Sequence, residues 1–148
     1  MKYLIGLTIT TTASCGTWLV PLDCQTIQEA IDEAANGDEI IVAAGIWKEQ
    51  INFSGKTLLI RSEVGAEKTV IDAGRRGTVV TCCSGDGTVL EGFTIRNGKA
   101  EFGGGIYVLN SSPTFRLCMI DFNSAKRGGG VYACSGNPIF DQCVFSFN

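Results

Sequence analysis

An all-β chain, wound as a right-handed parallel β-helix of about five coils behind a short capping α-helix, is the fold this sequence predicts. Three observations predict it. The segment GGGIYVLNSSPTFRLCMIDFN (103–123) is matched without a gap by GGGVYACSGNPIFDQCVFSFN (128–148), a spacing of 25 residues. Apolar residues alternate over short runs within each copy, Ile106 with Val108, Cys118 with Ile120, Val131 with Ala133 and Cys143 with Phe145, which is the period of a strand. Charges 25 apart are opposite in sign: Glu91, Arg116 and Asp141 alternate, Arg96 meets Asp121, and Glu101 meets Lys126. Coils stacked about 4.8 Å apart in register need that complementarity, because like charges directly opposite repel.

The chain opens with Met1-Lys2 and a modest, Thr-rich apolar stretch closed by small residues, the outline of a secretory signal over 1–15. The stretch is too short to span a membrane. The run TASC (12–15) also resembles a bacterial lipoprotein cleavage box that would lipidate Cys15, although Thr12 stands where an aliphatic residue is usual. A secreted or cell-surface protein is therefore expected, with its folded domain over 17–148. Within 26–36, Thr26 reads as an N-cap with Glu29 three residues on. Ile27, Ala30, Ile31 and Ala34 make one apolar face that ends at Asn36-Gly37. This helix has a place to go, across the open first coil, where it blocks edge pairing.

The coils are expected from about 38 to 148. The runs EIIVAAG (39–45), QINF (50–53), TLLIRS (57–62) and TVIDAG (69–74) read as strands between turn residues. Counting back 25 places Leu90, Phe93 and Ile95 under Phe115, Cys118 and Ile120, so TVLEGFTIRNG (88–98) is an earlier, worn copy. With one residue skipped, Val80 and Cys82 align with Ile106 and Val108. Two residues instead of one separate Phe115 from Cys118 and Phe140 from Cys143, a slip that bends the strand at a corner. Asn123 and Asn148 are expected to form an amide row at a corner, where Asn tolerates left-handed backbone.

Composition agrees with an ordered domain. The chain has 148 residues, 45% of them hydrophobic, with 19 Gly against 3 Pro, which suits many tight turns better than a flexible linker. A net charge of −3 gives no electrostatic reason to expect nucleic acid or an anionic membrane as partner. Seven Cys without a C-x-x-C pair, and no His, argue against zinc. Most of these thiols read as small buried apolar residues. No cofactor is indicated.

The stretch 18–62, followed by VLEGFTIRNG and by GGGIY with NSSPTF, resembles the opening of bacterial parallel β-helix proteins of the pectin-lyase-like superfamily. GGGV (128–131) with FSFN (145–148) is similar to the paired GGA[ILV] and FxxN repeats of polymorphic outer-membrane proteins, with Gly130 in place of the alanine. The resemblance implies a fold that hosts lyases, hydrolases, adhesins and fibre proteins alike.

Cleavage of a polysaccharide needs convergent carboxylates and a basic residue at the sugar. Asp72, Arg75, Arg76, Asp86, Lys126 and Arg127 supply the right groups, but no two acids recur at one facing position, and ladder pairing accounts for the charges. Asp86 in SGDG offers one carboxylate to calcium, which a turn explains equally. No catalytic residue and no metal site is assigned. The Gly triplets lack the Lys-Ser/Thr of a phosphate loop and precede strands. Tyr107 and Tyr132 point outward on adjacent coils, where they either stack on sugar rings of a polysaccharide or stack on each other to hold register. Trp47 falls in a different part of the turn.

The second copy stops at Asn148, one step before the next Gly triplet. Either the chain is a piece of a longer repeat protein, or its last coil, with no C-terminal cap, associates end to end with another molecule. Three functions are expected in turn: an exported, non-catalytic scaffold or adhesive module with glycan affinity, the N-terminal part of a polysaccharide lyase or glycoside hydrolase, or a self-associating fibre subunit.

Overall fold

The computed structural model describes residues 14–148, apart from the side chain of Asp86. The expected signal over 1–15 falls almost wholly outside the described residues. Cys15, at their start, is exposed.

The chain is a parallel β-solenoid of about five coils with one short helix. Strand β1 (Thr17–Val20) and helix α1 (Ile27–Glu33) precede the coils. Coil 1 contains β2 (Glu39–Val42), β3 (Gly45–Trp47) and β4 (Ile51–Asn52), and coil 2 contains β5 (Leu59–Ser62), β6 (Thr69–Asp72) and β7 (Val80–Cys83). Coil 3 adds a fourth strand: β8 (Asp86–Glu91), β9 (Thr94–Arg96), β10 (Lys99–Phe102) and β11 (Ile106–Leu109). Coil 4 repeats it with β12 (Ser112–Arg116), β13 (Met119–Asp121), β14 (Ser124–Arg127) and β15 (Val131–Cys134), and coil 5 contains β16 (Ile139–Asp141) and β17 (Val144–Ser146). The sheets stack in the orders β1-β2-β5-β8-β12-β16, β3-β6-β9-β13-β17, β4-β7-β11-β15 and β10-β14. Every pairing among them is parallel.

The register is the one the 25-residue spacing predicts. Ile95 lies against Ile120 and Ile120 against Phe145, Leu90 against Phe115, and Val80 against Ile106, which in turn faces Val131. Ile71, Ile95 and Ile120 are fully buried in one inward column, Ile60, Leu90 and Phe115 in another. Each such side chain contributes about 1.5–3 kcal/mol by leaving water. Successive backbones approach closely at the Gly triplets. A Cβ on Gly105 would stand 2.6 Å from the Gly130 carbonyl oxygen and 2.8 Å from Asn123 Nδ2, so the repeat requires glycine there.

The slips in alternation at 115–118 and 140–143 are not bulges within a strand. They are breaks between strands, at Leu117 and Gln142, each left-handed with φ 52°. A second left-handed column runs through Asn97, Phe122 and Phe147, and a third through Ser54, Ser84, Asn110 and Ser135, all with φ between 51° and 56°. Corners are thus set by in-register left-handed residues, several of them bulky, which local preference alone disfavours.

Helix α1 is a seven-residue segment, too short to be stable alone. Its buried Ile27, Ala30 and Ile31 pack on the first coil, as expected. Thr26 Oγ1 accepts from the Glu29 amide at 3.1 Å, but the Glu29 carboxylate accepts from the Gln25 amide rather than completing the box on Thr26. The helix ends at Glu33, three residues before the expected Asn36. Its ends are held from the coils: Glu49 accepts from the Ile27 and Gln28 amides at 2.9 and 3.1 Å, and Lys56 Nζ donates to the carbonyls of Ile31, Asp32 and Ala34 at 2.7 Å each. A carboxylate at the N-terminus and an ammonium at the C-terminus both complement the helix dipole and stabilise the helix. Sequence reading found neither, because both partners come from another coil.

Candidate functional site

The outward face of β11 and β15 carries the predicted tyrosines. Tyr107 and Tyr132 are in register, half-buried, and stacked with ring centroids 5.8 Å apart and planes within 4°. Alternation places them outward because Ile106 and Val108 are buried on either side. Below them the same row holds Thr81 and Asn52, so the aromatic character is confined to coils 3 and 4.

Phe102, missed in the sequence, and Arg127, weighed there only as a basic residue for cleavage, complete the cluster. Phe102, at the end of β10, leans on Tyr132 at 5.0 Å with planes tilted by 59°. The exposed Arg127, opposite Phe102 across β10 and β14, places its guanidinium carbon 5.7 Å from the Phe102 ring centre. Arg127, Phe102, Tyr132 and Tyr107 thus form one continuous cationic and aromatic strip. The signal was present in Phe102, five residues before Tyr107, but joining the two needs the turn of the Gly triplet. Because the tyrosine planes lie almost parallel, each ring hides one face from solvent. What remains for a ligand is the other face of Tyr107, the phenol edges, the hydroxyls and the guanidinium.

A second aromatic row, also missed, lies at the corner after β13 and β17. Phe122 and Phe147 stack at 5.0 Å with planes within 9°, and they are 50% and 77% exposed. Asn97 holds the same corner one coil earlier. The row therefore turns from polar to aromatic along the stack, as the Tyr row does.

The charged residues weighed for catalysis are placed as follows. Arg116 bridges Glu91 at 3.2 Å and Asp141 at 3.4 Å, and Arg61 holds the next place in that row, paired with Glu39 at 2.5 Å. Lys126 lies 3.7 Å from Glu101. Arg75 and Arg76 are exposed on the turn after β6. Arg96 stands opposite both Asp72 and Asp121, yet its ion pair, at 3.3 Å, is with Asp72. The expected Arg96–Asp121 row is complementary in register but is not a contact ion pair. Burial disfavours the Asp72 anion, but the Gly74 amide, the Asn97 side chain and Arg96 overcome it and hold the carboxyl below its usual range. Asp121 receives no such help: burial pushes it up, only partly offset by Arg96, and its Oδ1 has no hydrogen-bond partner. Asp38, buried under the first coil, is held low by the Trp18 indole and the amides of Ala35 and Gly16. Among the described residues no three His, Cys, Asp or Glu side chains converge on a metal position.

The Asn row is present and its role is structural. Asn123 Oδ1 accepts from the Gly98 amide at 2.8 Å, and Nδ2 donates to the Ile95 carbonyl at 3.0 Å and to Asn148 Oδ1 at 3.1 Å. Asn148 Nδ2 repeats the pattern on the Ile120 carbonyl at 2.7 Å. The left-handed residue is not the Asn itself but the one before it, Phe122 or Phe147.

Among the described residues no helix is long and apolar enough to cross a membrane. Neither a scan against protein-family models nor a search of curated proteins finds a match to this chain. The fold, a parallel β-solenoid of about five coils, is the level at which the chain is assigned.

Proposed function

We propose that this chain is an exported surface scaffold whose outward strip of Tyr107, Tyr132, Phe102 and Arg127 binds glycans, without cleaving them. The observation that carries the reading is the strip itself: aromatic edges, two hydroxyls and a guanidinium aligned along the stack, where rigid coils hold them without ordering cost. The leader-like start and the GGGV and FSFN spacing support placement at a bacterial cell surface, among pectin-lyase-like β-helix proteins and near the polymorphic outer-membrane repeats. Glu91, Glu101 and Asp141 are engaged in ladder pairs and Asp72 in a closed hydrogen-bond set, which leaves none of these four free for cleavage chemistry.

The test is binding over a panel of neutral and acidic polysaccharides. Replacing both Tyr107 and Tyr132 with Ala is expected to weaken retention at least tenfold while the far-ultraviolet spectrum stays that of a β-protein. The Phe double variant keeps the stack and removes the hydroxyls, so it separates edge contact from hydrogen bonding. Unchanged binding in the Ala variant overturns the Tyr assignment, and unsaturated or reducing-end products would return the chain to the lyase or hydrolase reading.

A second reading, a self-associating fibre subunit, is favoured by the outward exposure of Ile139 and Val144 on β16 and β17 and of Phe122 and Phe147 at the corner beside them. Size-exclusion chromatography over a range of concentrations tests it, a constant monomer volume being the contrary result.

A further inference from the structure

We propose that Cys118 and Cys143 are a cross-coil disulfide site, oxidised by a low-molecular-weight disulfide such as glutathione disulfide. The proposal is independent of the glycan reading. Register carries it. Arg116 lies against Asp141 and Met119 against Val144, so Cys118 and Cys143 are direct neighbours on adjacent parallel coils, both facing inward at the same corner. Adjacent strands are about 4.8 Å apart, inside the range of about 4.4–6.8 Å that a disulfide spans between Cα atoms.

The two sulfurs are oriented alike. Cys118 Sγ reaches the Leu90 carbonyl at 3.4 Å and Cys143 Sγ the Phe115 carbonyl at 3.3 Å, each one coil back, so the Cys143 thiol points down the stack towards Cys118. No other described pair is so placed. Cys83 and Cys134 share a row but Leu109 stands between them, and Cys24 is buried against the helix. The thiols are also unequal. Cys118 is 1% exposed, whereas Cys143 is half-buried. The neighbouring sulfurs act on each other, with the Cys118 thiol pushed up and Cys143 brought down to about 7, so Cys143 is the partner that supplies thiolate near neutral pH.

The chemistry follows in two exchanges. The Cys143 thiolate attacks one sulfur of the small disulfide, forming a mixed disulfide and releasing one small thiolate. Cys118 then gives up its proton and attacks Cys143 Sγ, forming the Cys118–Cys143 bond and expelling the second small thiol. Two protein thiols are oxidised and one small disulfide is reduced to two thiols. The product closes coil 4 on its neighbour covalently.

The experiment uses the full chain carrying Cys134→Ser, so that the tryptic peptide 128–148 holds a single thiol. The reduced protein is equilibrated with glutathione disulfide at pH 8, quenched by alkylation, digested and weighed. The expected product links peptides 117–126 and 128–148, while the exposed Cys15 carries a glutathione adduct and reports that the oxidant reached the protein. In Cys118→Ser, glutathione is expected to stay on Cys143; in Cys143→Ser, the buried Cys118 is expected to remain a thiol. Recovery of Cys118 and Cys143 as free thiols while Cys15 is modified would overturn the proposal, as would a stable adduct on Cys143 with Cys118 present.

Discussion

Coils 1 and 2 and coils 4 and 5 are built by different rules. The later coils repeat at 25 residues, with identical or similar side chains stacked in rows of Tyr, Phe, Asn and Cys. The earlier coils have no such repeat: Glu39–Val42 to Leu59–Ser62 spans 20 residues and Leu59–Ser62 to Val89–Glu91 spans 30, by register. Yet burial is alike in both: Ile40, Val42, Ile60, Ile71 and Val80 in the early coils and Phe115, Cys118 and Ile120 in coil 4 are all almost or fully buried. Regularity and burial are therefore separate properties here. The earlier coils close on a packed core sealed by α1, and the later ones specify register through like rows and alternating charge.

The largest expected effect tests that separation. Ile60→Ala in coil 2 leaves a cavity under the helix-sealed core and is expected to cost about 2–5 kcal/mol in denaturant unfolding. Phe145→Ala, from the half-exposed end of an equally apolar column, is expected to cost less than about 2 kcal/mol. Equal losses would break the comparison.

Next in size is the Asn row. Asn123→Ala strands the Gly98 amide and the Ile95 carbonyl, both buried, and is expected to cost about 1–3 kcal/mol. Asn148, exposed and bonded on one side, is expected to matter less when replaced with Ala.

The charged rows give the smallest effect. Arg116→Glu sets three like charges in line with Glu91 and Asp141 and is expected to destabilise by roughly 1 kcal/mol, a loss that high salt reduces. Acid titration sharpens the same point, since the buried carboxyls differ in sign. Asp38 and Asp72, held low, contribute stability that is present above their unfolded pKa and is lost as pH falls through the folded one. Asp121, raised, has the opposite slope: it binds its proton more readily when folded, so its contribution falls as pH rises through its folded value. Asp121→Asn is expected to raise the melting temperature slightly at neutral pH and to leave it unchanged in acid.

The comparison also explains what could be read in advance. The strict copies made the register of coils 3 to 5 legible, because Ile95, Ile120 and Phe145 repeat a chemistry as well as a spacing. Strands β1, β3, β10 and β14 were not legible: KAEF and SAKR carry no inward alternation, and their pairing is set by the turns around them. The capping of α1 by Glu49 and Lys56 was hidden for another reason, since neither lies near the helix in sequence. Tyr107 and Tyr132 were found by alternation, but Phe102 and Arg127 join them only through the turn at Gly103 to Gly105.

The measurement that tests the stack most directly is a set of nuclear Overhauser contacts among the inward side chains of one column. The account predicts cross-peaks from Ile120 to both Ile95 and Phe145, and none between Ile95 and Phe145, which lie two coils apart. A direct Ile95–Phe145 contact, or the absence of both Ile120 contacts in the folded chain, would contradict it.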